Sequence, residues 1–121
     1  MARVVHFEIP VDDPERAISF YRNVLDWQAQ KWEGPTDYWV VTTGPDDVPG
    51  INGAFIARDG LRNVVNTIAV TSLDETARRV EANGGTIALP KTTVPGVGFL
   101  MYFVDTEGNL FGAIEAQEGV G

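Results

Sequence analysis

This chain of 121 residues contains no cysteine, which excludes a disulfide framework, a thiolate nucleophile and a cysteine metal site. It has a single histidine, His6, so no cluster of imidazoles can assemble within one chain. It is poor in cations: 9 Lys and Arg stand against 17 Asp and Glu, leaving a net charge of −8. Nucleic acid and anionic membrane surfaces select for basic patches, so neither is an expected partner. Long apolar runs are also missing, and no segment approaches the length that spans a bilayer. Met1-Ala2-Arg3 leads straight into a β-like run with no signal-peptide pattern, so a cytoplasmic protein is expected. The length fits one domain, residues 1–121, large enough to bury a core.

What the sequence does contain is an internal repeat. Val4–Trp27 and Asn63–Thr86 each read as an apolar strand, a capping residue, an amphipathic stretch and a stop. The numbering offset between them is 59, which carries Ile18 and Tyr21 onto Ala77 and Val80 and Gly53 onto Gly112. Two units are expected, roughly 1–59 and 60–121. Two copies of one unit usually bury a shared face, and in a small protein that face is the natural ligand site.

The first unit opens with a strand over Val4–Ile9. Asp13 caps a helix with Pro14 at its first position, and Ala17, Ile18, Phe20, Tyr21, Val24 and Leu25 give it an apolar stripe. Strands are predicted over 28–32, 38–43 and 52–57. The second unit has a strand over 64–70, then the capping box Ser72-x-x-Glu75 ahead of a helix to Asn83, stopped by Gly84-Gly85. A short strand over 86–89, a loop over 91–98, and strands over 99–104 and 110–116 complete it. Residues 117–121 are expected to fray. Each unit is therefore β-α-β-β-β, and the fold class is α+β: two tandem units forming a curved mixed sheet around a cleft, with the helices outside.

This arrangement, with DDPERAISFYRNVLDW early and DTEGNLFG late, resembles the vicinal oxygen chelate superfamily of glyoxalase I, extradiol dioxygenases and bleomycin-resistance proteins. The resemblance covers nearly the whole chain. It implies a divalent metal held by residues on four strands, and the matching positions here are His6, Gly53, Val65 and Gly112. Glycine and valine offer no side-chain ligand, and one imidazole cannot hold the ion. Glu8 shares a face with His6 but leaves the set too small. No metal and no other cofactor is expected.

His6 is either a general base near neutral pH or a hydrogen-bonded histidine lining the cleft. Glu8 could tune it, bind a cationic group, or be a solvated strand residue. Trp39 is the pocket candidate among the aromatics, placed by alternation with Val41 and Thr43; Tyr102 and Leu100 are read in the matching phase. Trp27 is assigned to the core. Lys91 is a surface lysine or an anchor for an anion, and Asp105, Glu107 and Asn109 form a turn. The expected ligand face comprises His6, Glu8, Trp39, Val65, Thr67, Tyr102, Gly112 and Ile114. The expected function is binding of a small, partly apolar molecule without metal, as in bleomycin resistance, or a metal-free lyase or isomerase using His6 and Glu8. The alternative is a metal-dependent glyoxalase- or dioxygenase-like enzyme. Covering of sheet edges predicts a homodimer.

Overall fold

The computed structural model describes residues 2–116, and the expected frayed end lies outside them. The chain divides into two compact units, one spanning His6–Val64 and the other built from Val65 onward together with the first five residues. Two β-α-β-β-β units are present, as the sequence predicts.

The first unit runs β1 (Arg3–Val11), α1 (Pro14–Leu25), β2 (Gln28–Lys31), β3 (Tyr38–Thr42) and β4 (Gly53–Ala57). Its strands lie in the order β2-β3-β4-β1. β1 pairs with β4 in parallel, and the other neighbours are antiparallel. The α1 helix starts where Asp13 accepts a 3.1 Å hydrogen bond from the Arg16 N–H. It stops at Asp26, whose φ of 61° is left-handed. Ala17, Ile18, Tyr21 and Trp27 then pack on the buried trio Val11, Val41 and Phe55, with Ile9 and Trp39 beside them. Complete burial of a side chain such as Phe55 contributes about 1.5–3 kcal/mol. The expected stripe is only half buried: Phe20 and Val24, one helical turn apart, remain 57% and 59% exposed. They sit on the neighbouring face of the helix, pointing away from the strands.

The second unit runs β5 (Val65–Ala69), α2 (Leu73–Ala82), β6 (Thr86–Val94), β7 (Gly98–Val104) and β8 (Leu110–Ala116), with strand order β5-β8-β7-β6. Ser72 accepts from the Glu75 N–H at 3.1 Å, which is half of a capping box. The Glu75 carboxylate does not return the bond; it takes Arg78 and Arg79 instead. Leu73, Met101 and Ala113 form the buried centre beneath α2. The loop expected over 91–98 is largely strand. β6 continues through Pro90 and Lys91 to Val94, with register shifts between Ile87 and Thr92. An edge strand tolerates proline at such an irregularity, because the missing N–H faces no partner.

Candidate functional site

Alternation and register divide each sheet into a face under its helix and a helix-free face. In the first unit, Phe7 aligns with Gly53 and Val41, and Ile9 with Phe55 and Trp39. These belong with the packed core under α1. Phe7 itself lies 5.6 Å from the Trp27 ring, which stacks on Tyr21 at 5.1 Å. The opposite phase contains His6, Glu8 and Pro10, aligned through Ala54 and Ile56 with Val40 and Tyr38.

This corrects the expectation for Trp39. It packs with Val41 in the core under α1, on the face opposite His6, and the Lys31 ammonium lies 5.6 Å from its ring centre. The aromatic on the His6 face is its neighbour, Tyr38. A one-residue change of phase exchanges the faces of a strand, and nothing in the run Tyr38-Trp39-Val40-Val41 announces which aromatic turns inward. The signal that finds Tyr38 is structural: its hydroxyl lies 2.7 Å from His6 Nε2.

Gly53 also belongs elsewhere. A Cβ built on it would lie 2.5 Å from both the Phe7 ring and the Phe7 carbonyl, on the helix side. Glu8 pairs with Ala54, and Thr67, the counterpart of Glu8 in the repeat, pairs with Gly112. The residue matching Gly112 is therefore Ala54, at an offset of 58. The offset varies along the chain: Val40 and Tyr102, which pair with Ala54 and Gly112, are 62 apart. The caps Asp13 and Ser72 keep the offset of 59, whereas the left-handed stops, Asp26 and Gly84, are 58 apart.

On the helix-free face of the first unit, Glu8 is 7% exposed and Ala54 is fully buried. Burial lowers the His6 pKa, so the imidazole is neutral at pH 7. Burial, and then the negative charge of Glu8, push the Tyr38 phenol well above its ordinary value, so it keeps its proton. The His6 and Tyr38 rings are nearly parallel, 9° apart, and Trp32 meets Tyr38 edge-on at 72° and 5.9 Å. Trp32 is held there at the backbone by its N–H bond to the Tyr38 carbonyl, 2.8 Å long.

In the second unit, Thr67 aligns with Gly112, and Gly112 with Tyr102; Ile114 aligns with Ala69 and Leu100. These residues share the phase opposite the Met101–Ala113 core, as does Val65. Val65 and Thr67 are 2% and 4% exposed. A Cβ on Gly112 would lie 3.1 Å from Thr67 Oγ1 and 3.2 Å from the Tyr102 ring, so the glycine fits its neighbours closely. Lys91 does not stand free for an anion: it pairs with Asp74 at 3.5 Å and lies 4.6 Å from the Phe99 ring centre. Asp105 accepts from the Glu107 and Asn109 N–H groups, which is turn chemistry. A separate depression in the loop between β3 and β4 is lined by Thr43, Pro45, Asp46, Val48 and Asn52. It lacks the grouping of titratable side chains found around His6.

The metal positions implied by the resemblance do not fit an ion. With Ala54 in place of Gly53 they read His6, Ala54, Val65 and Gly112, a single donor. Among the described residues, no group of three His, Cys, Asp or Glu side chains is placed to hold a metal. No helix among them is long and apolar enough to cross a membrane.

Two βαβββ units with their polar residues on the helix-free strand face define a glyoxalase-type α+β protein. The chain belongs to the Glyoxalase/Bleomycin resistance protein/Dioxygenase superfamily, whose family model matches residues 3–112. No curated protein sequence matches it. Among solved structures it is similar to a hypothetical protein from Bacillus halodurans C-125, at 14% identity and a TM-score of 0.72, with 99% of this chain and 98% of that one covered. It is similar to methylmalonyl-CoA epimerase from Mycobacterium tuberculosis, at 16% identity and a TM-score of 0.67, with coverage of 94% and 87%. A third similar structure is described as the NAD-dependent benzaldehyde dehydrogenase from Legionella pneumophila, at 19% identity and a TM-score of 0.64, with coverage of 93% and 98%. At these identities the likeness is one of fold.

Proposed function

We propose that this protein binds a small, partly apolar molecule on the His6–Glu8–Tyr38 face of its first unit, without a resident metal. Val65, Thr67, Tyr102, Gly112 and Ile114 are proposed to form the corresponding, more apolar surface of the second unit. The observation that carries this reading is the 2.7 Å bond between His6 and Tyr38, placed on the same strand face as a buried carboxylate. Placing a buried carboxylate with a half-buried imidazole and a half-buried phenol on one face costs stability that an apolar face would not, so a binding role accounts for them better than packing does. The chain then acts as a single domain that holds its ligand, as in bleomycin-resistance-like sequestration. We further propose a cytoplasmic homodimer.

Proton transfer is the second reading, and the protonation states favour it in one respect. Tyr38 keeps its proton and can donate it or a hydrogen bond, while neutral His6 can accept one. The bond between them, however, occupies the Nε2 of His6 and leaves Nδ1 as its remaining nitrogen. Binding without turnover therefore fits the geometry better.

The test joins two measurements. Elemental analysis of protein purified without chelators is expected to find far less than one Zn, Ni, Mn or Fe per chain. Titration with 1-naphthylmethanol, an uncharged flat probe, is expected to quench the tryptophan emission saturably, and more weakly in Tyr38→Phe and His6→Ala. About one bound ion per chain would overturn the metal-free reading. Absence of saturable quenching would overturn the binding face.

A further inference from the structure

The bond between His6 and Tyr38 has a direction, and that direction sets what His6 shows to a ligand. Nε2 and the Tyr38 hydroxyl oxygen are 2.7 Å apart. Such a distance is short for an N–H donor to oxygen and ordinary for an O–H donor. A phenol gives up its proton far more readily than a neutral imidazole does, and an imidazole nitrogen takes one far more readily than a phenol oxygen does. The hydroxyl therefore donates to Nε2. A neutral imidazole holds one proton, and with Nε2 as the acceptor that proton sits on Nδ1.

The surroundings leave Nδ1 as the group a ligand meets. It has no hydrogen-bond partner among the described residues and is not sealed from solvent. The two ring centres lie 6.4 Å apart at an interplanar angle of 9°, so phenol and imidazole meet end to end in nearly one plane. Trp32 stands across the phenol at 72°, and its ring is backed by Gly34, where a Cβ would run into the indole. Among the described residues, the imidazole has no ring contact besides Tyr38. This flat surface is closed by an indole at the phenol and carries an N–H on the edge of the imidazole.

The geometry points to a ligand that carries a hydrogen-bond acceptor, a carbonyl oxygen or a ring nitrogen, and seats it on the His6 Nδ1–H. The inference rests on the binding face proposed above and specifies its ligand. Tyr38 is here a positioning residue, acting through the tautomer of His6. A ligand whose polar group is only a donor gains nothing from His6, because a protonated Nδ1 has no lone pair to offer it.

His6 is the only histidine, so a long-range proton–nitrogen NMR spectrum of isotope-labelled protein contains one imidazole and reads its tautomer directly. At pH 7.5 the proton is expected on Nδ1 in the free protein. Tyr38→Phe keeps the ring and removes the donor, and should move the proton mostly to Nε2. Two probes that share one ring system test the ligand class: 1-acetylnaphthalene carries a carbonyl, and 1-ethylnaphthalene has no polar group. The ketone is expected to displace the Nδ1 resonance saturably, and the hydrocarbon to leave it nearly in place. The ratio of the two affinities, from tryptophan quenching, cancels their difference in hydrophobicity. In Tyr38→Phe this ratio should fall at least about threefold, following the fraction of molecules that still hold the proton on Nδ1. A proton on Nε2 in the unmodified protein would overturn the inference, as would an unchanged tautomer or ratio in Tyr38→Phe. A ketone that quenches saturably without moving the Nδ1 resonance would also overturn it, while the binding face stands. The measurements on the unmodified protein decide the matter even if Tyr38→Phe misfolds. If neither probe nor 1-naphthylmethanol binds, the face and the ligand class fall together.

Discussion

His6 Nε2 and the Tyr38 hydroxyl, far apart in sequence, share a hydrogen bond of 2.7 Å. It joins β1 to the start of β3. A raised phenol pKa and a lowered imidazole pKa leave both partners uncharged.

Stability should fall as the pH drops below the ordinary imidazole value of 6.5. His6 binds its proton less readily folded than unfolded, so the unfolded state gains protons first. The loss begins below 6.5 and levels off beneath the lowered folded value. Thermal unfolding between pH 7.5 and 5 should show this slope, and His6→Gln should flatten that part of it. A parallel decline in both proteins would assign the slope to other groups.

Trp39 and Trp32 should separate cleanly. Trp39→Leu removes ring contacts in the core under α1 and is expected to cost about 1–3 kcal/mol while leaving naphthylmethanol affinity unchanged. Trp32→Leu is expected to weaken the probe several-fold with a smaller stability loss. The reverse pattern in paired denaturation and binding experiments would return Trp39 to the ligand face.

The two glycines that the repeat equates should respond differently to alanine. At Gly53 the new methyl meets the Phe7 backbone oxygen at 2.5 Å, which only a strand shift relieves. At Gly112 the nearest atoms are side-chain atoms at 3.1 and 3.2 Å. Gly53→Ala is expected to cost at least ~2 kcal/mol and Gly112→Ala about 1 kcal/mol. Urea denaturation of the two variants compares them directly, and equal losses would contradict the register.

At the ends of α1, Asp13→Ala should cost ~1 kcal/mol, since it removes the acceptor of the Arg16 N–H. Asp26→Gly should be neutral or stabilising by up to ~1 kcal/mol, because the left-handed φ of 61° suits glycine better. Chemical denaturation of both variants measures these changes. A marked loss on Asp26→Gly would reveal a separate role for that carboxylate.

The fold is legible in the sequence because its signals are local and repeated. The caps Asp13 and Ser72, the stop at Gly84 and the alternation of β1 each act over a few residues. His6 and Glu8 are legible as one face for the same reason. Trp39, Gly53 and the length of β6 are not. Trp39 sits in a run apolar on both faces, where period-two reasoning has no anchor. Gly53 is misplaced by a constant offset, because the count runs through a helix, an edge strand and connections that all differ in length between the units. β6 extends past Pro90 because β7 provides partners as far as Gly98, which no local signal reports. Tyr38 is visible only through its contact with His6 on a different strand.

The slip from 59 to 58 bears on how such a chain can change. A residue lost from a helix turns the following side chains by about 100°, which a loose surface helix absorbs. In a strand the same loss would exchange inside for outside. Length changes between the two halves fall in the helix, the edge strand and the connections between strands, and the inner strands restore their own inside from their pattern of apolar residues. The packed side of each half is held to this standard by its core. The other side is not, and there one half carries an imidazole, a phenol and a carboxylate where its twin carries valine, threonine, glycine and the Tyr102 phenol.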